Sequence, residues 1–173
     1  MTVGQGQHIV VIGPMGVGKT TIGGLLADAL VRPFLDSDEV LEDRLGADGA
    51  AIAELEGVER LHDLELEVFL QMSRHETPSV IAPAASVVDQ PSGREILAQS
   101  FTIRLTAPDE VLAVRNEQLG HRRPVDAEER EALRRRRDPY LDRLVDLSFD
   151  TGLRTPRQVV EEVVGGLPGI FSG

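Results

Sequence analysis

One residue of this 173-residue chain has an obvious chemical role: Lys19 is the only lysine, and the other basic residues are all arginine. It lies in the octet Gly13-Pro14-Met15-Gly16-Val17-Gly18-Lys19-Thr20, which matches G-x-x-x-x-G-K-[ST]. A compact ammonium on a flexible stem suits a narrow loop better than a planar guanidinium does. The pattern is typical of a phosphate-binding P-loop, in which the lysine reaches the β- and γ-phosphates of a nucleotide.

The segments on either side of the octet supply the elements that such a loop needs. Residues 8–12 form a short apolar run that predicts a buried strand, and residues 21–30 carry apolar side chains at helical spacing. A strand, a loop and a helix in this order direct backbone N–H groups and a positive dipole end at one anion. We therefore predict binding of a nucleoside triphosphate with Mg²⁺, with the Thr20 hydroxyl as a metal ligand. The residues expected to surround the nucleotide phosphates are Gly13, Met15, Gly16, Val17, Gly18, Lys19, Thr20 and Thr21.

A second group of polar residues, Asp36-Ser37-Asp38, follows the next apolar run. In an extended backbone residues i and i+2 point to the same side, so Asp36 and Asp38 are predicted to project together toward the phosphates. An enzyme that phosphorylates a hydroxyl needs one acid to hold Mg²⁺ and another to orient the hydroxyl. We assign the first role to Asp36 and the second to Asp38. The alternative is that Ser37 or Asp38 only caps the following helix.

Strands and helices alternate along the whole chain. The predicted strands are residues 8–12, 33–36, 79–82, 101–105 and 147–150, and the predicted helices are residues 38–45, 48–56, 58–74, 94–99, 109–119 and 127–144, with a last one opened by Thr155 and Pro156. This alternation predicts one α/β domain over residues 1–173, a three-layer sandwich of the P-loop NTPase type around a five-stranded parallel sheet. Ligands of such sheets bind at the carboxyl ends of the strands.

Composition limits the possible functions. A net charge of −11 argues against binding to nucleic acid phosphates. The absence of cysteine excludes disulfides and thiolate metal sites, and no segment has the layout of a signal peptide or the apolar length of a membrane span. We expect a cytoplasmic monomer that binds neither nucleic acid nor membranes.

These motifs resemble those of the shikimate kinase family, and the resemblance covers almost the whole chain. Residues 34–38 resemble its F-x-D-x-D, residues 52–65 its I-x-x-x-x-x-G-E-x-x-F-R-x-x-E, residues 80–88 its strand ending in T-G-G-G, Arg123-Pro124 its lid, Arg136 with Tyr140 its R-x-x-x-Y, and residues 150–156 its adenine loop. The resemblance implies that ATP phosphorylates a hydroxyl of shikimate. It also implies a lid at about residues 120–126 with Arg123 as a catalytic cation, and an adenine held between Arg115 and Pro156.

The acceptor half of the chain departs from the family pattern. Leu61-His62 stands where the family has Phe-Arg, so the arginine that holds the substrate carboxylate is missing. Pro83-Ala84-Ala85-Ser86 replaces the glycine turn, and each added Cβ occupies space beside the acceptor. We expect a rebuilt acceptor site formed by Asp38, His62, Ala84, Ala85 and Arg136.

Several of these assignments have alternatives. His62 is alternatively a surface histidine, and residues 134–137 are alternatively a solvated helix face. Arg122 could act in place of Arg123, and a shift of one residue would select Arg137 instead of Arg136.

Together these features predict a small-molecule kinase, a phosphotransferase with an alcohol group as acceptor. The acceptor is expected to be a shikimate-like compound, a cyclitol, a sugar or a hydroxy acid, with shikimate itself a poor substrate. The alternative is a catalytically degenerate ATP-binding protein with a regulatory or partner role. The intact set Lys19, Asp36, Asp38 and Arg123 favours the kinase, because a binding protein needs no hydroxyl-orienting acid. A gluconate- or nucleoside-type kinase is a third possibility.

Overall fold

A five-stranded parallel sheet forms the centre of the computed structural model, which describes residues 6–119 and 127–166. The strands are β1 (Ile9–Ile12), β2 (Phe34–Asp36), β3 (Val80–Ala82), β4 (Phe101–Thr106) and β5 (Leu147–Asp150). They lie in the order β2-β3-β1-β4-β5, and every pair of neighbours is parallel. The predicted fold class is confirmed. The predicted lid, with Arg122 and Arg123, lies outside the described residues.

Helices connect the strands. They are α1 (Lys19–Leu30), α2 (Ser37–Leu45), α3 (Gly49–Glu56), α4 (Val58–Met72), α5 (Pro91–Gln99), α6 (Asp109–Leu119), α7 (Ala127–Leu144) and α8 (Pro156–Gly166). The sequence pattern missed a short 3₁₀ helix at Ala85–Asp89, and it began α5 too late because Pro91 fits the first turn of a helix. Within the described ranges, no helix is both long enough and apolar enough to cross a membrane.

Apolar side chains cover both faces of the sheet, which produces the three layers. In β1, Ile9 and Val11 face one side, where α1, α6 and α8 pack, while Val10 and Ile12 face the side of α2, α3, α4, α5 and α7. All four side chains of β1 are at most 1% exposed. Burying each one stabilises the fold by about 1.5–3 kcal/mol before entropy is counted, so the central strand is a rigid base for the loop that follows it.

The direction of chain progression through the sheet changes at β1, whose neighbours are β3 on one side and β4 on the other. A crevice opens at the carboxyl end of the strands at such a point. The chain enters it through Gly13, where an added Cβ would lie 2.4 Å from the Leu105 carbonyl oxygen of β4. A glycine is required at this position because the loop passes so close to the neighbouring strand.

Helix α1 ends in an unusual conformation. Val31, its C-terminal cap, has φ 52° and ψ 47°, in the left-handed region, and its side chain is 92% exposed. Its N–H and that of Arg32 donate to the last carbonyls of the helix. A β-branched residue in this conformation is strained, and no burial of its side chain offsets the strain.

Candidate active site

The P-loop joins the end of β1 to the start of α1. Gly16 and Gly18 have φ of 76° and 101°, the left-handed region in which only glycine is unstrained. Helix α1 begins at Lys19, so the unpaired N–H groups of its first turn point back into the loop. The Lys19 ammonium donates to the carbonyl oxygens of Gly13 and Pro14 at 3.1 and 3.3 Å. The loop therefore presents both backbone dipoles and a cation to an anion.

Asp36 joins this loop to the next strand. Its Oδ2 accepts a 2.6 Å hydrogen bond from the Thr20 hydroxyl, its Oδ1 accepts one of 2.9 Å from the Asp38 N–H, and it is 4% exposed. Asp36 is thus the N-cap of α2, a role that the sequence analysis considered for Ser37 or Asp38 instead. Asp38 already lies in the helix, so the argument from extended backbone was wrong. The structure nevertheless brings Asp38 to the cavity described below.

Thr20, Asp36 and Lys19 fit a magnesium–nucleotide site by their chemistry. Mg²⁺ prefers hydroxyl, carboxylate and phosphate oxygens, and it usually keeps several of its waters. The hydrogen bond between Thr20 and Asp36 places such oxygens together at the start of α1. Thr20 would hold the ion directly and Asp36 through a water, while Lys19 would neutralise phosphate charge.

A cavity of about 340 Å³ extends from the P-loop to a wall formed by α3, α4, the 3₁₀ helix and α7. It is large enough for a small ring compound beside the phosphates. The cavity lining brings together several of the predicted residues: Gly13, Met15, Lys19, Asp38, His62, Ala84 and Ala85. Thr20 and Thr21 lie on the exposed side of α1, and the Val17 side chain is buried in the core.

His62 lies on α4 and is half-buried in the cavity wall. Burial, followed by the positive charge of Arg137, lowers the pKa of His62 from its usual value, against a smaller opposing effect of Asp89. The imidazole is therefore held in its neutral form near pH 7, in which one ring nitrogen donates and the other accepts. This arrangement favours the hydrogen-bonding role over that of a surface histidine.

Side chains occupy the turn after β3, where the family pattern has glycines. Pro83 and Ala84 are buried, and the 3₁₀ helix starts at Ala85. The Ser86 hydroxyl donates to the Glu65 carboxylate of α4, and both residues line the cavity. This part of the wall is therefore made of methyl groups with one fixed carboxylate–hydroxyl pair.

Arg137 of α7 lines the cavity, and Arg136 is not part of the lining. Asp89, the last residue of the 3₁₀ helix, binds both: its carboxylate accepts from Arg137 Nε at 3.1 Å and Nη2 at 2.7 Å, and from Arg136 Nε at 3.2 Å and Nη2 at 2.6 Å. The side chain of Arg137 is 13% exposed, that of Arg136 56%. Of the two alternatives, the structure places Arg137 in the site and Arg136 toward solvent.

The pKa of Asp89 reflects this double pairing. Burial would raise it, but the hydrogen bonds and charges of Arg137 and then Arg136 outweigh burial, so the pKa lies below its usual value. Asp89 is therefore a carboxylate near neutral pH, and it compensates the charge of the arginine that faces the cavity.

Of the two residues predicted to hold adenine, Arg115 is connected to the P-loop through Thr151. Arg115 of α6 donates through Nη1 to the Thr151 hydroxyl and through Nη2 to the Thr151 carbonyl, both at 2.9 Å. The Thr151 hydroxyl in turn donates to the Val17 carbonyl at 3.0 Å. Pro156 is the exposed first residue of α8, and neither Arg115 nor Pro156 lines the cavity. Their stacking role stays a prediction.

Sequence reasoning did not assign several residues that the structure brings to the cavity: Glu65, Arg104, Asp109, Asn116, Arg130 and Arg134. Asn116 packs against the P-loop, because a Cβ added to Gly16 would lie 2.4 Å from its Oδ1. Its buried Oδ1 has no hydrogen-bond partner among residues 6–119 and 127–166. No local pattern distinguishes Asn116 from any other polar residue of α6, and only its neighbour Arg115 indicates this face of the helix.

The fold and the site together define a small P-loop kinase. The family model described as shikimate kinase matches residues 15–167. A shikimate kinase of Legionella pneumophila (strain Corby) is 36% identical over 174 residues, covering 98% of this chain and 99% of the relative. One of Thioalkalivibrio sulfidiphilus is 34% identical and covers 92% and 86%. The chain belongs to the shikimate kinase family, as the resemblance of its motifs predicted.

Solved structures agree with this placement. The shikimate kinase from Acinetobacter baumannii, solved in complex with shikimate, superimposes with a TM-score of 0.82 at 28% identity and covers 91% of this chain and 90% of its own. A gluconokinase from Sinorhizobium meliloti superimposes with a TM-score of 0.57 at 21% identity, over 94% and 91% of the two chains, and shares the fold.

Proposed function

We propose that this protein uses Mg·ATP to phosphorylate a hydroxyl of a small polyhydroxylated acceptor, and that shikimate is a poor acceptor for it. One observation carries the proposal: Lys19 and Asp38 line the same cavity, with the Thr20–Asp36 pair at the base of the P-loop. A cation for the phosphates and a carboxylate for the acceptor thus line one cavity.

The chain's own residues support this reaction as follows. The loop amides and Lys19 bind the phosphates of ATP and spread the negative charge of the transferring group. Asp38 accepts a hydrogen bond from the acceptor hydroxyl and takes its proton as that oxygen bonds to the γ-phosphorus. The bond between this phosphorus and the bridging oxygen breaks, and ADP leaves. Magnesium, when bound, neutralises phosphate charge.

The residues of the acceptor wall support the proposal that shikimate is a poor acceptor. Neutral His62 cannot replace a charged, bidentate arginine as a partner of a carboxylate. Ala84, Ala85 and Ser86 add side-chain atoms where the family pattern has glycine. These changes leave the phosphate half of the site untouched.

The same changes favour a second candidate, an ATP-binding protein that has lost phosphoryl transfer and acts as a regulator or partner. Such a protein would keep the P-loop contacts while its acceptor wall changed. It would have no use for Asp38 at the cavity.

ADP release across a panel of acceptors separates the two candidates. The panel contains shikimate, quinate, inositols, hexoses, gluconate and nucleosides. We expect one of the neutral polyols to stimulate ADP release, and Asp38→Asn to remove the stimulation while ATP affinity changes little. Asp142→Asn removes the same charge at a 69% exposed position outside the cavity lining and serves as the control. Efficient turnover of shikimate, with KM below about 1 mM, would overturn the proposal, and ATP binding without stimulation by any acceptor would favour the regulator.

A further inference from the structure

We propose that Thr151 orients part of the P-loop for phosphate binding: its hydroxyl holds the Val17–Gly18 peptide so that the Gly18 N–H faces the nucleotide phosphates. Arg115 directs that hydroxyl. The inference rests on the nucleotide binding of the proposed function, and it does not depend on which acceptor is used. Thr151 is a positioning residue, because it acts through the loop and lies outside the lining of the cavity.

Thr151 connects the end of the last strand to the P-loop. It directly follows β5 and is 6% exposed, and its N–H donates to the Thr106 carbonyl of β4 at 2.8 Å. Its hydroxyl donates to the Val17 carbonyl at 3.0 Å, with the Thr106 carbonyl farther away at 3.3 Å. Because the sheet fixes the backbone of Thr151, its hydroxyl is a fixed point to which the loop is attached.

The orientation of one peptide bond decides what this part of the loop presents to an anion. A planar trans peptide holds its C=O and its N–H in opposite directions. The Val17 carbonyl points at Thr151, so the Gly18 N–H points away from Thr151. Among residues 6–119 and 127–166, no backbone carbonyl accepts from this N–H. It is therefore available to an anion, together with the unpaired N–H groups at the start of α1.

Glycine makes this orientation easy to lose. Gly18 has φ of 101°, and a residue without a Cβ allows the peptide before it to rotate at little steric cost. A rotated peptide would direct the Val17 carbonyl oxygen at the phosphates instead of the Gly18 N–H, and the interaction would change from attraction to repulsion. The hydrogen bond from Thr151 opposes this rotation.

Arg115 sets the direction of the Thr151 hydroxyl. Its Nη1 donates to the hydroxyl oxygen and its Nη2 to the Thr151 carbonyl, both at 2.9 Å. A hydroxyl has one hydrogen, and because Arg115 occupies a lone pair, that hydrogen is left for a carbonyl, of which Val17 is the nearer. A charged donor also polarises the hydroxyl and strengthens the hydrogen bond that the hydroxyl donates.

The test uses inorganic tripolyphosphate, which carries the phosphate chain of ATP without a nucleobase. Calorimetric titration with Mg²⁺ present measures the affinities for tripolyphosphate and for ATP in the wild type, Thr151→Val and Thr151→Ser. Valine keeps the branched shape and loses the hydroxyl, whereas serine keeps the hydroxyl. The matched control is Thr102→Val: Thr102 is 0% exposed near the amino end of β4, and its hydroxyl also donates to a carbonyl, that of Leu97, at 3.0 Å.

We expect Thr151→Val to weaken the binding of both ligands about tenfold, because the peptide is no longer held, and Thr151→Ser to restore it to within about threefold. Thr102→Val should lower Tm by a similar amount and leave both affinities unchanged. A merely structural role of Thr151 would likewise lower Tm without changing the affinities.

A second measurement needs only the wild type. Amide ¹H–¹⁵N NMR spectra with and without Mg·tripolyphosphate should show the Gly18 proton moving downfield, because an N–H that donates to an anionic oxygen forms a shorter and stronger hydrogen bond. The Val31 N–H already donates to the Asp28 carbonyl at the other end of α1, so its proton should stay in place.

Three results would overturn the inference. One is a Gly18 proton that does not move on addition of the ligand, which decides the matter even if the Thr151 variants do not fold. Another is a folded Thr151→Val protein with wild-type affinity for tripolyphosphate. The third is a loss of affinity for ATP alone, which would assign Thr151 to the nucleobase. If all readouts behave as expected but no acceptor is phosphorylated, the kinase proposal fails and the positioning role stands.

Discussion

The Thr20 hydroxyl and the Asp36 carboxylate lie 2.6 Å apart, although 16 residues separate them in the chain. The other oxygen of Asp36 caps α2 through the Asp38 N–H at 2.9 Å. One buried side chain thus connects the first turn of the P-loop helix to the helix that carries the proposed base. The phosphate side and the acceptor side of the site are positioned by the same carboxylate.

Asp36→Ala should lower both the stability of the protein and the effect of magnesium on ATP affinity. We expect the free energy of unfolding to fall by about 1–3 kcal/mol, because the helix cap and the buried hydrogen bond to Thr20 disappear together. The control is Asp48→Ala, which removes a cap of the same kind, the 2.8 Å bond to the Ala51 N–H, and should cost about 1 kcal/mol. Urea denaturation gives the stabilities. Titration of ATP with and without Mg²⁺ should show a reduced magnesium effect in the Asp36 variant only, and an equal effect in both variants would contradict the assigned role.

Lys19→Ala should abolish measurable ATP binding, because the loop amides alone do not neutralise the phosphates. Lys19→Arg should restore it only in part, since a planar guanidinium does not fit the position between the Gly13 and Pro14 carbonyls. Arg143→Ala removes one positive charge from the exposed last turn of α7 and should leave binding unchanged. Calorimetry on all three variants checks this, and unaltered affinity in Lys19→Ala would refute the P-loop assignment.

The pH dependence of stability should contain a contribution from His62. Burial and then Arg137 lower the pKa of His62 in the folded protein. The unfolded chain therefore binds more protons than the folded one as pH falls through the unfolded histidine value of about 6.5. Stability from the neutral histidine is present above that value and declines as pH falls toward the lower folded pKa. His62→Gln should flatten the decline of Tm between about pH 7.5 and 5, and an unchanged slope would show that His62 is not held neutral.

His8 provides an independent comparison for that experiment, because burial also lowers its pKa. It lies just before β1, at the opposite end of the strand from the P-loop. His8→Gln should flatten the same part of the stability curve without affecting acceptor binding. If His62→Gln alters acceptor binding and His8→Gln does not, His62 contributes to the acceptor site as well as to the pH dependence of stability.

Val31→Gly should stabilise the protein, by about 0.5–1.5 kcal/mol, because it relieves a left-handed β-branched residue whose exposed side chain contributes little packing. The matched control is Val114→Gly, the same change at a 55% exposed position within α6, which should destabilise by roughly 0.5 kcal/mol. Opposite signs in thermal or urea unfolding are the expected result. Two losses of similar size would show that Val31 is not strained.

The sequence predicted the local structure around the P-loop, because this motif is contiguous in the chain. A buried strand, two left-handed glycines and the start of a helix all follow from neighbouring residues in the segment around Lys19. The five strands were found for the same reason, because each is an apolar run between turn residues. Asp38 reached the cavity even though the extended-backbone argument failed, because α2 begins directly at the carboxyl end of β2, beside the P-loop.

The acceptor half depended on contacts that no local pattern contains. Asp89 and Arg137 are 48 residues apart, and Arg115 and Thr151 are 36 apart. One residue along a helix turns the side chain by about 100°, so the choice between Arg136 and Arg137 needed the packing of α7. The 3₁₀ helix escaped detection because it is short and its apolar residues continue those of β3.

The Lys19 ammonium has a further chemical consequence. No other side chain of this protein carries a primary amine, and this one sits in the cavity against the carbonyl oxygens of Gly13 and Pro14. A reagent that acylates amines would therefore find its only side-chain target inside the nucleotide pocket. The extent of that labelling would report directly on occupancy of the pocket, without any need to engineer a reporter group into the molecule.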